Sequence, residues 1–263
     1  MSCKSAVAGT HCCGLGGGGK LTTEQNSLHM PFDPKKIKTV LFDLDGTLID
    51  NFTAIYKCYS DVSRELGLEP KGYAQLRATV GGAISLTLSR LIGDDLAEEG
   101  VRRFREHFPQ VMFDGVFTLP GGEWILDNLR QRGYKLGVFT NKDYPATTAL
   151  LDFLKLSPRL DFIFGTNTPD MPWRKPDKRY TDYALGKMGA LAQETLLVGD
   201  SPYDILSARN AGMHVACVTT GTHMPEALIE CYGSPEIVFP NLYFVGKEVF
   251  GLPLPATTNC DLK

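Results

Sequence analysis

The chain has 263 residues, of which 43% are hydrophobic, 22% charged and 10% aromatic. This composition is typical of a globular protein and excludes a disordered, collagen-like or coiled-coil chain. Lysine and arginine number 27 against 30 aspartate and glutamate residues, a formal net charge of −3. The sequence therefore shows no basic excess that would indicate nucleic acid or an anionic membrane as a partner.

Residues 1–33 are predicted to form a flexible N-terminal tail. Glycine occupies positions 14 and 16–19, and a segment that buries so few side chains cannot offset its ordering entropy. The seven cysteines of the chain lack CxxC spacing, which argues against a disulfide framework or a zinc site and favours a reducing compartment. We expect no secretory signal, because no apolar block follows a basic start, and the apolar runs are shorter than a membrane-spanning helix requires. We expect a cytoplasmic protein, with organelle targeting by the tail left open.

Strand and helix patterns alternate through most of the remaining chain. Six short apolar runs predict strands, and they cover residues 37–42, 135–139, 162–164, 195–198, 214–218 and 236–239. Between them, four segments predict helices, at residues 123–132, 145–156, 177–188 and 202–211. Apolar strands separated by helices indicate a parallel sheet covered on both faces. The sequence thus predicts an α/β fold with a Rossmann-like, three-layer parallel core formed by residues 34–50 and 119–245. Residues 246–263 are predicted to be a C-terminal tail.

Residues 51–118 interrupt this alternation. Phe52, Ile55, Tyr59, Val62 and Leu66 follow helical spacing, and further helices are predicted over residues 73–78, 86–92 and 95–108. The segment contains no predicted strand. We therefore expect an inserted, all-helical cap domain that lies over the ends of the strands.

A pair of carboxylates, Asp43 and Asp45, directly follows the first predicted strand. Two acidic groups separated by one residue repel each other, so a cation or a chemical reaction is needed to compensate them. A solvated turn is an alternative, because aspartate and glycine also build turns. This motif alone leaves both interpretations open.

Other polar residues follow the later strands. Thr140 and Asn141 offer a hydroxyl and an amide, Lys175 offers a positive charge ahead of a helix, and Asp200 and Asp204 form a second acidic pair. Ligands bind at the carboxyl ends of the strands in open α/β sheets. Taken with the first acidic pair, these residues provide what phosphoryl transfer requires: a nucleophile, an acid and base, a phosphate clamp and acidic metal ligands.

These elements, in this order, closely resemble the motifs of the haloacid dehalogenase superfamily. The family's DxDGT motif corresponds to residues 43–47, its threonine to Thr140, its lysine to Lys175 and its second acidic motif to residues 199–204. A helical cap between the first two motifs is also a feature of the family. Within it the chain looks most like phosphoglycolate-phosphatase-type enzymes, whose cap specificity loop is similar to residues 77–82. The candidate loop residues are Thr79, Gly81 and Gly82.

The resemblance implies a mechanism that uses a covalent intermediate. Asp43 would attack phosphorus to form an aspartyl-phosphate, and Asp45 would act first as the acid and then as the base. Mg²⁺ would be bound by Asp43, by the backbone carbonyl of Asp45 and by Asp200. Asp204 is expected to orient Asp200 or the water shell of the metal.

The resemblance also implies how the substrate is held. Thr140, Asn141 and Lys175 would bind the phosphate oxygens and stabilise charge in the transition state. The expected substrate is a small phosphorylated metabolite, similar to phosphoglycolate, and the expected activity is phosphoric monoester hydrolysis. A sugar phosphomutase of the same superfamily is the alternative, and a non-catalytic binding protein is a third interpretation. The sequence does not indicate an oligomeric state.

Overall fold

The computed structural model describes residues 30–168 and 170–256, so most of the predicted N-terminal tail lies outside the described residues. The strands of this part of the chain are β1 (Thr39–Phe42), β2 (Ile49–Asp50), β3 (Phe117–Thr118), β4 (Lys135–Asp143), β5 (Phe162–Thr166), β6 (Thr195–Gly199), β7 (His214–Val218) and β8 (Val238–Phe239). Its α-helices are α1 (Phe52–Glu65), α2 (Tyr73–Arg77), α3 (Ile84–Ile92), α4 (Asp94–Val111), α5 (Gly122–Gln131), α6 (Tyr144–Phe153), α7 (Lys178–Met188), α8 (Pro202–Ala211), α9 (Pro225–Tyr232) and α10 (Leu242–Phe250). Across these residues, no helix combines the length and the apolar character needed to cross a bilayer.

A parallel sheet with the strand order β5-β4-β1-β6-β7-β8 forms the centre of the protein, which confirms the predicted fold class. From β1 the chain adds β4 and β5 on one side and then returns to add β6, β7 and β8 on the other. The register pairs Phe42 with Val138 of β4 and with Val198 of β6. The residues that follow these three strands therefore emerge side by side where the strand order reverses, which is the usual ligand-binding position in such sheets.

Helices cover both faces of the sheet because successive side chains of a strand point to opposite faces. Val40 and Phe42 of β1 lie in one buried cluster with apolar residues of α5, α6 and α10. Leu41 lies in a second cluster with residues of α7, α8 and α9. The whole of β1 is buried, and this fixes the position of the residues that follow it.

The C-terminal segment differs from the sequence prediction, which placed a tail from residue 246. Helix α10 continues to Phe250, and Val249, Phe250 and Leu252 are buried against the core. The side chain of Asn241 caps the helix by accepting hydrogen bonds from the backbone amides of residues 243 and 244. The predicted start of the tail was wrong because the apolar residues of α10 follow helical spacing and complete one face of the sheet.

Helices α1–α4, hereafter the cap, are inserted between β1 and the rest of the sheet. The two connections between cap and core pair with each other: β2 and β3 are antiparallel, with Ile49 opposite Thr118. Leu119 also donates its backbone amide to the carbonyl of Leu48, at 2.9 Å. The predicted all-helical segment 51–118 thus contains one short strand, which the sequence analysis missed because a two-residue strand has no periodicity.

We predict that Phe250→Ala destabilises the protein by about 3 kcal/mol, since the substitution removes a buried aromatic side chain and leaves a cavity. Lys247→Ala on the same helix is the matched control, because the Lys247 side chain is 51% exposed and pairs with the neighbouring Glu248. Urea unfolding of both variants measures the difference. Equal midpoints for the two variants would mean that α10 does not stabilise the core.

Candidate active site

The first carboxylate of the site stands at the end of β1. Asp43 is only 4% exposed, and its backbone amide donates to the carbonyl of Val198 at 2.8 Å, so pairing with β6 continues to this residue. The chain then turns at Gly46, which has a φ of +83°. A Cβ atom at Gly46 would lie 2.7 Å from Oδ2 of Asp200. Glycine therefore permits both the turn and the close approach of the second acidic residue.

A buried lysine links two of the carboxylates. The Nζ atom of Lys175 lies 2.8 Å from Oδ1 of Asp43 and 2.7 Å from Oδ1 of Asp204. Burial lowers the pKa of Lys175, but the two carboxylates outweigh burial and raise the pKa above its ordinary value. Lys175 therefore carries a positive charge directly beside Asp43.

Asp204 accepts hydrogen bonds from this lysine and from Ser201, the residue before α8. Its Oδ2 accepts hydrogen bonds from the amide of Ser201 at 3.1 Å and from the Ser201 hydroxyl at 2.6 Å, while its Oδ1 accepts from Lys175. Both oxygens are thus engaged by protein donors. The sequence analysis expected Asp204 to orient Asp200 or the metal's water shell, whereas its contacts in the structure hold Lys175 in place.

Asp200 is held by the loop that follows β7. Its Oδ2 accepts hydrogen bonds from the amide of Thr222 at 2.8 Å and from the Thr222 hydroxyl at 3.1 Å. A Cβ atom at Gly221 would lie 1.8 Å from the same oxygen, so only glycine fits there. Oδ1 of Asp200 is buried and has no hydrogen-bond partner within the described residues. The sequence analysis missed Thr222, although the Thr-Thr-Gly run at the end of the preceding strand is a polar strand end like the others.

These buried groups fit a divalent cation. One carboxylate oxygen from each of Asp43, Asp200 and Asp204 lies within 4.8 Å of the others, and three carboxylates face the single ammonium of Lys175. Burial raises the pKa of Asp43 to about 6 and also raises that of Asp200, because desolvation penalises the charged form. Since the oxygens of Asp204 are already engaged, Asp43 and Asp200 are the residues that could hold a metal ion.

Asp45 belongs to a separate polar group beneath the cap. Its Oδ2 accepts from Nζ of Lys142 at 2.9 Å. Asn51 bridges the pair in the amide orientation that gives both of its polar atoms a partner: the nitrogen then lies 2.8 Å from Oδ1 of Asp45 and the oxygen 3.1 Å from the Lys142 ammonium. The ammonium also lies 4.9 Å from the ring centroid of Phe108 in α4. The sequence analysis missed Lys142, although it directly follows two predicted site residues, and missed Asn51, for which the sequence gives no signal.

The two polar residues at the end of β4 have different roles. Oδ1 of Asn141 accepts from the amide of Lys175 at 2.7 Å, and its Nδ2 donates to the carbonyls of Lys175 and Gly81 at 3.3 and 3.4 Å. The Asn141 side chain therefore positions the lysine segment. The hydroxyl of Thr140 accepts from the amide of Lys142 at 3.3 Å, and Thr140 lines the cavity described next.

A cavity of about 230 Å³ separates the cap from this edge of the sheet. On the core side it is lined by Asp43, Asp45, Thr140, Asn141 and Lys142. On the cap side its lining includes Ile55, Val80, Gly81, Gly82, Ile84, Phe104 and Phe108. Of the predicted cap loop, Thr79 does not line the cavity: its hydroxyl donates to backbone carbonyls of α2. The volume is below the roughly 300–1,000 Å³ of typical ligand pockets, which favours a small ligand.

The sequence of this chain matches a known protein family and several known enzymes. A family model described as haloacid dehalogenase-like hydrolase matches residues 40–218. Phosphoglycolate phosphatase from Aquifex aeolicus is 33% identical over 187 residues, 70% of this chain and 86% of that protein. Phosphoglycolate phosphatase from Caulobacter vibrioides is 32% identical over 207 residues, covering 76% and 86%.

Solved structures show the same fold. A predicted phosphatase from Clostridium acetobutylicum superimposes with a TM-score of 0.75 at 23% identity, covering 82% of this chain and 99% of that one. A hydrolase from Pseudomonas syringae superimposes with a TM-score of 0.67 at 22% identity, covering 80% and 96%.

We predict that removing the Asp43 charge stabilises the metal-free protein at neutral pH. The folded-state pKa of Asp43, about 6, lies above the ordinary 3.8. Between these two pH values the folded state therefore retains a proton that the unfolded state has lost. Ionised Asp43 then costs on the order of 3 kcal/mol above pH 6. In EDTA, Asp43→Asn should therefore be more stable than the wild type at pH 7.5, and the gain should disappear as the pH falls from about 6 to about 4. Urea unfolding of both proteins across this pH range measures the difference in their free energy of unfolding.

The metal site itself is tested by measuring the melting temperature with and without Mg²⁺. Mg²⁺ at about 100 times its dissociation constant should raise the wild-type melting temperature by about 5 °C, and Asp200→Asn should abolish the shift. Asp182→Asn is the matched control, because Asp182 is exposed and pairs with Lys178 in α7. An unchanged shift in Asp200→Asn would contradict the assignment of the metal site.

Proposed function

This chain belongs to the family of haloacid dehalogenase-like hydrolases, and from that premise we propose that it hydrolyses a small phosphate monoester through a covalent intermediate on Asp43. The chain is a phosphatase that resembles phosphoglycolate phosphatases by homology. The observation that carries the proposal is the placement of Asp43: it lines the cavity and lies 2.8 Å from the buried ammonium of Lys175. A carboxylate that borders a cavity and lies beside an ammonium is suited to attack a phosphoryl group.

The first step breaks the ester bond. An oxygen of Asp43 attacks phosphorus, the bond from phosphorus to the alcohol oxygen breaks, and Asp45 donates a proton to that oxygen. Lys142, whose ammonium lies 2.9 Å from the carboxyl group of Asp45, orients that group. Lys175 offsets the charge of the phosphoryl oxygens.

The second step regenerates the enzyme. Asp45 takes a proton from water, the water oxygen attacks the phosphorus of the aspartyl-phosphate, and the bond to the Asp43 oxygen breaks. Mg²⁺, held by Asp43, Asp200 and the backbone carbonyl of Asp45, would supply positive charge for the phosphoryl group. Thr140, beside the same cavity, would donate its hydroxyl to a phosphoryl oxygen. Asn141 contributes indirectly, by holding the segment that carries Lys175.

The size of the cavity supports hydrolysis over the mutase alternative. A mutase must retain a sugar bisphosphate while this ligand reorients in the site. Such a ligand needs more room than a cavity of about 230 Å³ provides. A small ester of the size of phosphoglycolate fits better. The curated relatives are also named as phosphatases.

The nucleophile is tested with Asp43→Asn. We expect this variant to lose at least about 10³-fold in kcat on p-nitrophenyl phosphate with Mg²⁺, because the amide cannot form the acyl phosphate. EDTA should abolish the wild-type activity, and Asp182→Asn should retain it. Acid quenching of the wild type during turnover should yield a phosphorylated Asp43 peptide in mass spectrometry. Full activity of Asp43→Asn would refute the proposal.

The role of Lys142 is tested by a comparison of leaving groups. Lys142→Met should lower kcat on an alkyl phosphate by about 10- to 100-fold, because Asp45 loses the cation that orients it. The loss should be much smaller on p-nitrophenyl phosphate, whose leaving group needs little protonation. Lys178→Met is the control, since Lys178 is exposed on α7. An equal loss on both substrates would show that Lys142 acts only on structure.

A further inference from the structure

The wall of the cavity on the cap side is mostly apolar, with Thr87 and Arg105 as its polar members. Ile55, Phe104 and Phe108 are at most 7% exposed, and Val80 and Ile84 are half-buried beside them. These side chains come from three different parts of the cap, and they face the polar strand ends of the core across the same cavity. The phosphate of a substrate would lie at the polar floor beside Asp43, so its alcohol part would extend toward this wall.

The cations along the cavity are already paired with carboxylates of the protein. The cations among the described lining residues are Lys142 and Arg105. Lys142 pairs with Asp45 at 2.9 Å, and Arg105 pairs with Asp143 at 2.7 Å. Asn167 also donates to Asp143, at 3.4 Å. The alcohol part of a substrate therefore finds no uncommitted cation among these residues.

Resting on the function proposed above, we infer that the alcohol part of the substrate is uncharged and largely apolar, in contrast to the carboxylate-bearing alcohol of phosphoglycolate. A substrate carboxylate would lie against apolar side chains and near the carboxylate of Asp45, and burying an unpaired charge is costly. It would have to take Lys142 or Arg105 from an existing partner. The cavity instead favours a short alkyl or aryl chain, because each buried methylene contributes about 0.8 kcal/mol.

The test compares esters that differ in charge and in apolar length. With saturating Mg²⁺, kcat/KM should be at least roughly tenfold higher for ethyl phosphate than for 2-phosphoglycolate, which has the same number of carbons. It should rise about three- to fourfold for each methylene from ethyl to n-butyl phosphate. A kcat/KM for 2-phosphoglycolate equal to or above that of ethyl phosphate would overturn the inference.

A charge placed in the wall gives a second, independent readout. Ile84→Lys puts an ammonium at a half-buried position of α3 that lines the cavity, and Ile84→Met is its uncharged control of similar size. The ratio of kcat/KM for 2-phosphoglycolate to that for ethyl phosphate should be about tenfold higher in the lysine variant than in the methionine variant. An equal ratio in both would overturn the inference.

Asp43→Asn, assayed with each ester, separates the two levels of the argument. If it abolishes hydrolysis of every ester while 2-phosphoglycolate is preferred by the wild type, the proposed function stands and the inference about the alcohol part fails. If hydrolysis persists in this variant, the proposed function itself fails.

Discussion

The site is organised by the burial of two carboxylates, Asp43 and Asp200, beside the buried ammonium of Lys175. The sheet imposes this arrangement, because β1 and β6 are neighbours in register and end at the same edge. Lys175 compensates one negative charge and Asp204 adds another. Burial, together with the remaining negative charge, raises the pKa values of both carboxylates, and the excess charge makes a divalent cation the natural counterion. Without a cation or a proton these side chains would repel each other.

A second, smaller charge system lies beside the first, on the core side of the same cavity. Asp45 pairs with Lys142 and Asn51, and the ring of Phe108 lies over the ammonium. Asn51 begins the cap and Phe108 belongs to it, so the surroundings of Asp45 are complete only when the cap covers the core. The buried group of Asp43, Lys175, Asp200 and Asp204 consists of core residues and includes none from the cap. In the proposed mechanism, the charges that would serve the phosphoryl group are thus separate from those that would serve the alcohol oxygen.

Much of this site could be predicted from sequence because parallel strands end at one edge. Polar residues that directly follow apolar strands, such as Asp43, Thr140 and Asp200, must then converge. Contacts that depend on how the cap sits on the core leave no local pattern, and Asn51 was missed for that reason. Partner assignments within a cluster were also beyond the sequence: the lysine that Asp204 holds lies 29 residues away in the chain. Short elements such as β2 and β3 have too few residues to show a period.

Two polar contacts join the cap to the core outside the buried group of Asp43, Lys175, Asp200 and Asp204. Arg77 donates to the backbone carbonyls of Thr220 and Gly221 at 3.0 and 3.3 Å, and Arg105 pairs with Asp143 where both side chains are partly exposed. Such contacts contribute little, because water and salt screen them. The loop that accepts from Arg77 is anchored to the core independently, since the Thr220 hydroxyl donates to the carbonyl of Gly46 at 2.7 Å. Breaking these two polar contacts would leave the hydrogen bonds of the buried carboxylates intact.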